Sequence, residues 1–273
     1  MIRLVALPPT LLIMAALLAS AAPARLPRIV SINPCIDAVL VRVADPAQIA
    51  GISHYSQDPR ATSIPLGVAN RFRATSGTAE EVVALRPDVV LTGPHTEPAT
   101  VAALKRLHIR LVQFTVPESV AESVVQVRDI AAVTGHVERG VALAARITAA
   151  ATPTRATPLP ALIWQSGGLV PGSGTLPDEL LRRAGFRNMS AAYGLKKWDV
   201  LPLEYLIAKP PRVLLSVAAA EAGEDRLTAH PAVRRLARRI TVAPYPARLM
   251  NCGGPTIIDA MARLKQVRRG FTA

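Results

Sequence analysis

One phrase, used twice, constrains this chain more than any other feature. Glu80 to Thr92 reads EEVVALRPDVVLT and Glu204 to Ser216 reads EYLIAKPPRVLLS. Glu80/Glu204, Val82/Leu206, Val83/Ile207, Ala84/Ala208, Pro87/Pro211, Val89/Val213 and Leu91/Leu215 fall in register. In each copy a short amphipathic helix stops ahead of a proline, because the proline ring disfavours helical geometry in the residue before it. An apolar run with the character of a buried strand follows. Two copies are too few for a solenoid. The phrase therefore predicts one α/β lobe built twice, with a ligand site in the cleft between the copies.

The surrounding pattern supports that reading. Apolar runs at 28–32, 49–53, 89–91 and 109–114 alternate with helical spacing, and no two-residue hairpin signal separates them, so the sheets are expected to be parallel. Residues 60–77 have no clear period and read as a long loop. Thr78 and Glu81 stand at capping-box spacing, which leaves Glu80 free. Residues 118–133 and 137–150 read as two helices broken at Thr134-Gly135-His136, and the prolines of 152–160 end the second. In the second half, 161–164 reads as a strand, 177–184 as a helix stopped by Gly185, and a loop carries Tyr193 and Trp198. After the repeat come a helix at 232–239 behind His230-Pro231, a strand at 240–243 and a last helix at 256–267. The expected fold class is α/β: two Rossmann-like lobes with mainly parallel sheets joined by a long helical backbone. The expected domains are a signal peptide (1–24), an N-terminal lobe (25–117), connecting helices (118–152) and a C-terminal lobe (153–273). A helical connector resists large closure, so lobe motion is expected to be small.

The first segment has the form of a secretory signal. Arg3 precedes an apolar run from Leu11 to Ala19, and small residues follow to Ala24, with a mature start expected near Ala22 or Arg25. The run is bracketed by Pro8, Pro9 and Pro23 and falls short of a membrane span. No Cys stands at the cleavage site, so the product is expected in the periplasm as a soluble protein, not a lipoprotein. Of the 273 residues half are hydrophobic, enough for a sizeable core, and the formal net charge is +13. Arginines are scattered along many elements, and the clusters Arg234-Arg235, Arg238-Arg239 and Arg268-Arg269 lack the interleaved aromatics of a single-strand binder. No nucleic-acid partner is expected; the charge favours an anionic ligand or surface.

Open parallel sheets place their sites at the carboxyl ends of the strands. Those ends are Asn33 to Cys35, His54-Tyr55, Gly93 to His95, Trp164 to Ser166 and Val217-Ala218. The five histidines, at 54, 95, 108, 136 and 230, show no paired spacing, so no metal centre is expected. His108, in a turn, and His136, at a helix start, read as solvated, whereas His54 and His95 sit where a ligand would touch them. An enzyme is not expected: there is no G-x-S-x-G elbow, no P-loop and no H-E-x-x-H, and Gly172-Ser173-Gly174 lacks the spacing of a dinucleotide fingerprint. Cys35 and Cys252 are the only cysteines. In an exported chain they form either a disulfide or two free thiols at helix starts.

Taken in order, RIVSINPCIDAVL, GISHYSQDP, EEVVALRPDVVLTG, GGLVPGSGTLPDELLRRAGFRN, KKWDVLPLEYLIAKPPRVLL and CGGPTIIDAMARL resemble the substrate-binding proteins of bacterial ABC importers for cobalamin and ferric siderophores. The resemblance covers nearly the whole mature chain. It implies two lobes on a helical backbone, a shallow cleft, no catalysis, no cofactor beyond the iron or cobalt of the ligand itself, and a monomer that delivers a small metal chelate to a permease. It implies that Glu80 and Glu204, one on each lobe, dock onto permease arginines. It implies that Tyr55 and Trp198 touch the ligand; the strand ends add Asn33, His54, Gly93, His95, Trp164 and Gln165 as further candidates, and charge adds Arg248. An aromatic tract found in some cobalamin binders is replaced here by Asn70-Arg71-Phe72-Arg73, which leaves room for an anionic ferric chelate met by Arg71, Arg73 or Arg248. Haem, a metal ion and a secreted enzyme are the alternative readings.

Overall fold

The computed structural model describes residues 25–221, 231–236 and 238–271. The expected signal segment, 1–24, and His230 lie outside them, as does the side chain of Arg234.

The first lobe runs β1 (Ile29–Ser31), α1 (Pro34–Val43), β2 (Ile49–Ser53), α2 (Leu66–Ala69), β3 (Ala74–Thr75), α3 (Ala79–Ala84), β4 (Val89–Thr92), α4 (Pro98–Arg106) and β5 (Arg110–Gln113). The connection is α5 (Val120–Thr134) and α6 (Val137–Ala150). The second lobe opens with β6 (Leu159–Trp164), β7 (Leu169–Pro171), α7 (Leu176–Arg183), β8 (Phe186–Asn188) and β9 (Trp198–Val200). It closes with α8 (Leu203–Ala208), β10 (Val213–Ser216), α9 (Ala218–Glu221), α10 (Pro231–Leu236), β11 (Thr241–Pro244) and α11 (Thr256–Arg269).

The duplication is visible in the sheets. The first has order β3-β2-β1-β4-β5 and the second β11-β10-β6-β8, with every neighbouring pair parallel. Aligning β6 with β1 and β10 with β4 gives the same order in both lobes. The repeated phrase occupies matching places: Val89 pairs with Ile29, and Val213 with Ala161.

Alternate residues of each central strand serve opposite faces, as a parallel sheet covered on both sides requires. Ile29, Val89 and Leu91 join Ala161, Ile163, Val213 and Leu215 in a single large core with residues of α1, α5, α6 and α11. The other faces bury Val30 and Val90 against Val82 and Leu104 in the first lobe. In the second lobe they bury Leu162, Trp164 and Leu214 against Leu206. Both lobes therefore share one core with the helical backbone and have a private core on the far face.

Four local expectations are corrected. The stretch 60–77 holds α2 and β3, and β3 adds an edge strand through the pairing of Ile52 with Ala74. The segment read as a loop around Trp198 is β9, which forms an antiparallel ribbon with β7. Glu81 does not close a capping box: Thr78 caps α3 by accepting the Glu81 amide. The Glu81 carboxylate accepts the Ser76 amide (2.6 Å) and the Thr75 hydroxyl (2.9 Å), and these bonds hold its pKa below the usual carboxylate range. His136 is not solvated. Its Nε2 lies 2.8 Å from Gln48 Oε1 and 3.3 Å from Asp45, while Arg139 pairs with Asp45 at 2.7 Å. The turn between α5 and α6, where Gly135 takes a left-handed conformation (φ 80°), is thereby fastened to the first lobe.

Candidate functional site

The strand ends of the first lobe come together around Asn33. Its Oδ1 accepts the amides of Cys35 and Ile36, capping α1. The side chain leans over Gly93, where a Cβ would lie 2.4 Å from Asn33 Nδ2, so any other residue there would push the Asn33 cap aside. Gly93 is buried, and His95 beyond it is exposed. Asn33 and Gly93 thus shape the end of the lobe through the cap and the close approach.

At the end of β2 a turn of 3-10 helix, His54–Gln57, presents Tyr55, which is 51% exposed. The rings of His54 and Tyr55 have centroids 4.0 Å apart, and His54 Nδ1 is 3.2 Å from the Thr75 carbonyl. Beneath this turn lies a residue that sequence reasoning missed. Asp37 is fully buried, and its Oδ2 accepts the Ser53 amide (2.9 Å) and the Ser56 hydroxyl (2.7 Å). Burial pushes its carboxyl up to about 7, although these bonds pull the other way. The signal was a lone carboxylate within the apolar helix PCIDAVLVRV, where a charged residue stays buried only with hydrogen-bond partners. Asp37 holds the turn that carries Tyr55.

On the second lobe the expectations divide. Trp198 is 46% exposed and lines a pocket at the lobe junction with Val116, Pro117, Met250 and Asn251. Trp164 is only 3% exposed and packs in the second lobe's private core, so it is not presented to a ligand. Gln165, after it, is half-buried, and its amide bonds the Leu169 carbonyl. Arg248 is placed elsewhere: it pairs with Asp259 at 3.6 Å and lines a separate cavity against α1 and α6. Of the alternative arginines, both Arg71 and Arg73 are exposed, and Arg73 shares a small recess with His54.

Several bonds cross the junction. Cys35 and Cys252 form a disulfide, which resolves the choice between a bond and free thiols. Ser63 Oγ donates to the Arg248 carbonyl at 2.9 Å, Asn251 Nδ2 to the Ala61 carbonyl at 3.3 Å, and the Gly254 amide to Ser123 Oγ at 2.6 Å. Lys197 pairs with Glu118. These contacts tie the second lobe to the first and to the helical connection.

Glu80 and Glu204 each occupy the second position of their helices, α3 and α8. Both are exposed. No group of three or more metal-ligating side chains is found among the described residues, and no helix among them is long and apolar enough to cross a membrane.

A family model described as periplasmic binding protein matches residues 29–237. No curated protein matches the chain. The apo periplasmic heme-binding protein RhuT from Roseiflexus sp. RS-1 is similar at 23% identity, with a TM-score of 0.65 over 88% of this chain and 98% of that one. The periplasmic vitamin B12 binding protein BtuF of Vibrio cholerae is similar at 17% identity, with a TM-score of 0.68 over 89% and 97%. A periplasmic heme-binding protein from Pseudomonas aeruginosa is similar at 21% identity, with a TM-score of 0.61 over 89% and 92%. At these identities the likeness is one of fold.

Proposed function

Because the chain belongs to the periplasmic binding protein family, we propose that it captures a metal-bearing chelate between its lobes and delivers it to the permease of an ABC importer. Members of the family of the iron and B12 type bind and deliver ligands and are typically not enzymes. In this reading residues 1–24 direct export and the mature chain works as a soluble monomer.

The observation that supports the reading is that each lobe leaves a large aromatic side chain exposed, Tyr55 on the first and Trp198 on the second. An aromatic face on each lobe suits a flat, conjugated ligand, since stacking adds about 0.5–1.5 kcal/mol beyond the area buried. Haem fits best. A tyrosine oxygen is an established axial ligand of ferric haem, Tyr55 offers one beside His54, and the basic excess of the chain suits the propionates. Cobalamin is the second reading, supported by the SYS-like loop around Tyr55 and by Trp198, and ferric siderophores are the third.

A thermal-shift screen with haem, cobalamin, cobinamide and several ferric siderophores tests the proposal. A true ligand at a hundred times its Kd stabilises by about 2.7 kcal/mol and raises the melting temperature. Haem is expected to do so, with an absorbance change that Tyr55→Phe alters. If no chelate shifts the transition, or if a bound compound is turned over, the proposal fails.

A further inference from the structure

A cavity of about 460 Å³ lies at the lobe junction and shares no lining residue with the Trp198 pocket. Its size is that of small-molecule sites. All three parts of the molecule contribute to it: Arg42 on α1 from the first lobe, Arg146 on α6 from the backbone, Arg248 and Thr256 from the second lobe.

Its chemistry is unbalanced. Three guanidiniums line one space, and only Arg248 has a counter-charge, Asp259 at 3.6 Å. Arg42 and Arg146 have no ion-pair partner among the described residues. Thr256 is 4% exposed, yet its Oγ1 has no hydrogen-bond partner, an arrangement that costs free energy unless something else satisfies it. It opens the 14-residue helix α11, whose N-cap, Pro255, provides no side-chain acceptor. A helix start of this kind favours an anion. Between the charges the lining is apolar, with Val41, Ile64, Leu143 and Ile258.

We propose that this cavity is a second ligand site, for a soluble molecule with an apolar body and a dianionic head, a phosphate monoester or a dicarboxylate. Asp259 offsets one of the three positive charges, and the remaining two match a dianion. The head meets Arg42, Arg146 and Thr256, and the body lies on the apolar lining. A ligand gripped by all three parts resists their separation, so its occupancy and lobe opening are linked. The inference is independent of what the cleft binds.

Calorimetric titration of the mature chain with monomeric decyl phosphate tests it, with inorganic phosphate and decanol as the separated halves of the probe. One equivalent of decyl phosphate is expected to bind at least tenfold tighter than either half. Arg42→Gln with Arg146→Gln is expected to weaken it at least tenfold; both residues are exposed, so the fold tolerates the change, and circular dichroism checks this. Arg106→Gln with Arg110→Gln removes the same charge from α4 and β5 and is expected to change nothing, as is Trp198→Ala. The proposal is overturned by an absence of saturable binding, by equal weakening in both double variants, or by loss of binding in Trp198→Ala. Pelleting with phosphatidylglycerol vesicles in place of monomer binding would assign the arginines to a membrane surface and overturn it equally.

Discussion

Cys35 and Cys252 are joined with their Cα atoms 5.1 Å apart, linking the first turn of α1 to the segment that enters α11. The bond closes 217 residues of sequence. It lies beside the hydrogen bonds of Ser63 and Asn251 that also cross the junction. For a span of this length the loop-entropy relation gives about 5 kcal/mol. Cys35→Ser with Cys252→Ser is therefore expected to lower the melting temperature by roughly 10 °C. Scanning calorimetry with and without reductant measures it, and superimposable curves would refute the claim.

Asp37 gives stability an inverted pH dependence. Its folded pKa of about 7 lies above the ordinary value of 3.8, so between these values the folded chain holds a proton that the unfolded chain has released. Its contribution is then most favourable below the lower value and declines as pH rises to the upper one, by at most about 1.4 kcal/mol per unit. Asp45, Glu81 and Asp88 are held below their ordinary values, and their contributions are lost only as pH falls through the acid range. Urea unfolding at pH 5 and pH 7.5 isolates the Asp37 window. Asp37→Asn, which keeps an acceptor for Ser53 and Ser56, is expected to flatten the difference; parallel slopes in the two proteins would count against it.

The two tryptophans offer separate optical reports. Trp164 is sealed in a core and Trp198 stands at the junction, so acrylamide should quench one component of the emission and spare the other. Trp198→Ala is expected to weaken the cleft ligand about tenfold, in line with the loss of an aromatic contact, and to leave the melting temperature nearly unchanged. Wild-type affinity in this variant would remove Trp198 from the site.

Glu80 and Glu204 have little structural work beyond the helix dipole, worth about 0.3–1 kcal/mol each. Glu80→Ala with Glu204→Ala is expected to abolish uptake by cells while the purified protein keeps its ligand affinity. A matching loss of affinity would show that the carboxylates serve the fold or the cleft.

The duplicated phrase made the architecture readable because proline and the apolar run fix helix end and strand in both copies, and the sheet order follows from where those strands pair. The site was less readable. A strand end tells where the chain leaves the sheet but not which face its last side chain covers. Trp164 alternates with Ile163, so it falls on the second face, beneath the private core. The charge of Arg248 suits an anionic chelate, yet Asp259, one turn into α11, pairs with it at another cavity. The β7–β9 ribbon had no turn signature because residues 172 to 197 separate its strands. Asp37 was written in the sequence, but its partners Ser53 and Ser56 are neighbours only after β2 is laid beside α1.

The two copies are not interchangeable at their outer ends. After Glu80 comes Glu81, bound down onto Ser76 and Thr75, whereas after Glu204 comes Tyr205, exposed. Turned through half a rotation, the molecule therefore offers an aromatic ring beside one repeated carboxylate and a fixed acid beside the other, so its two ends remain distinguishable.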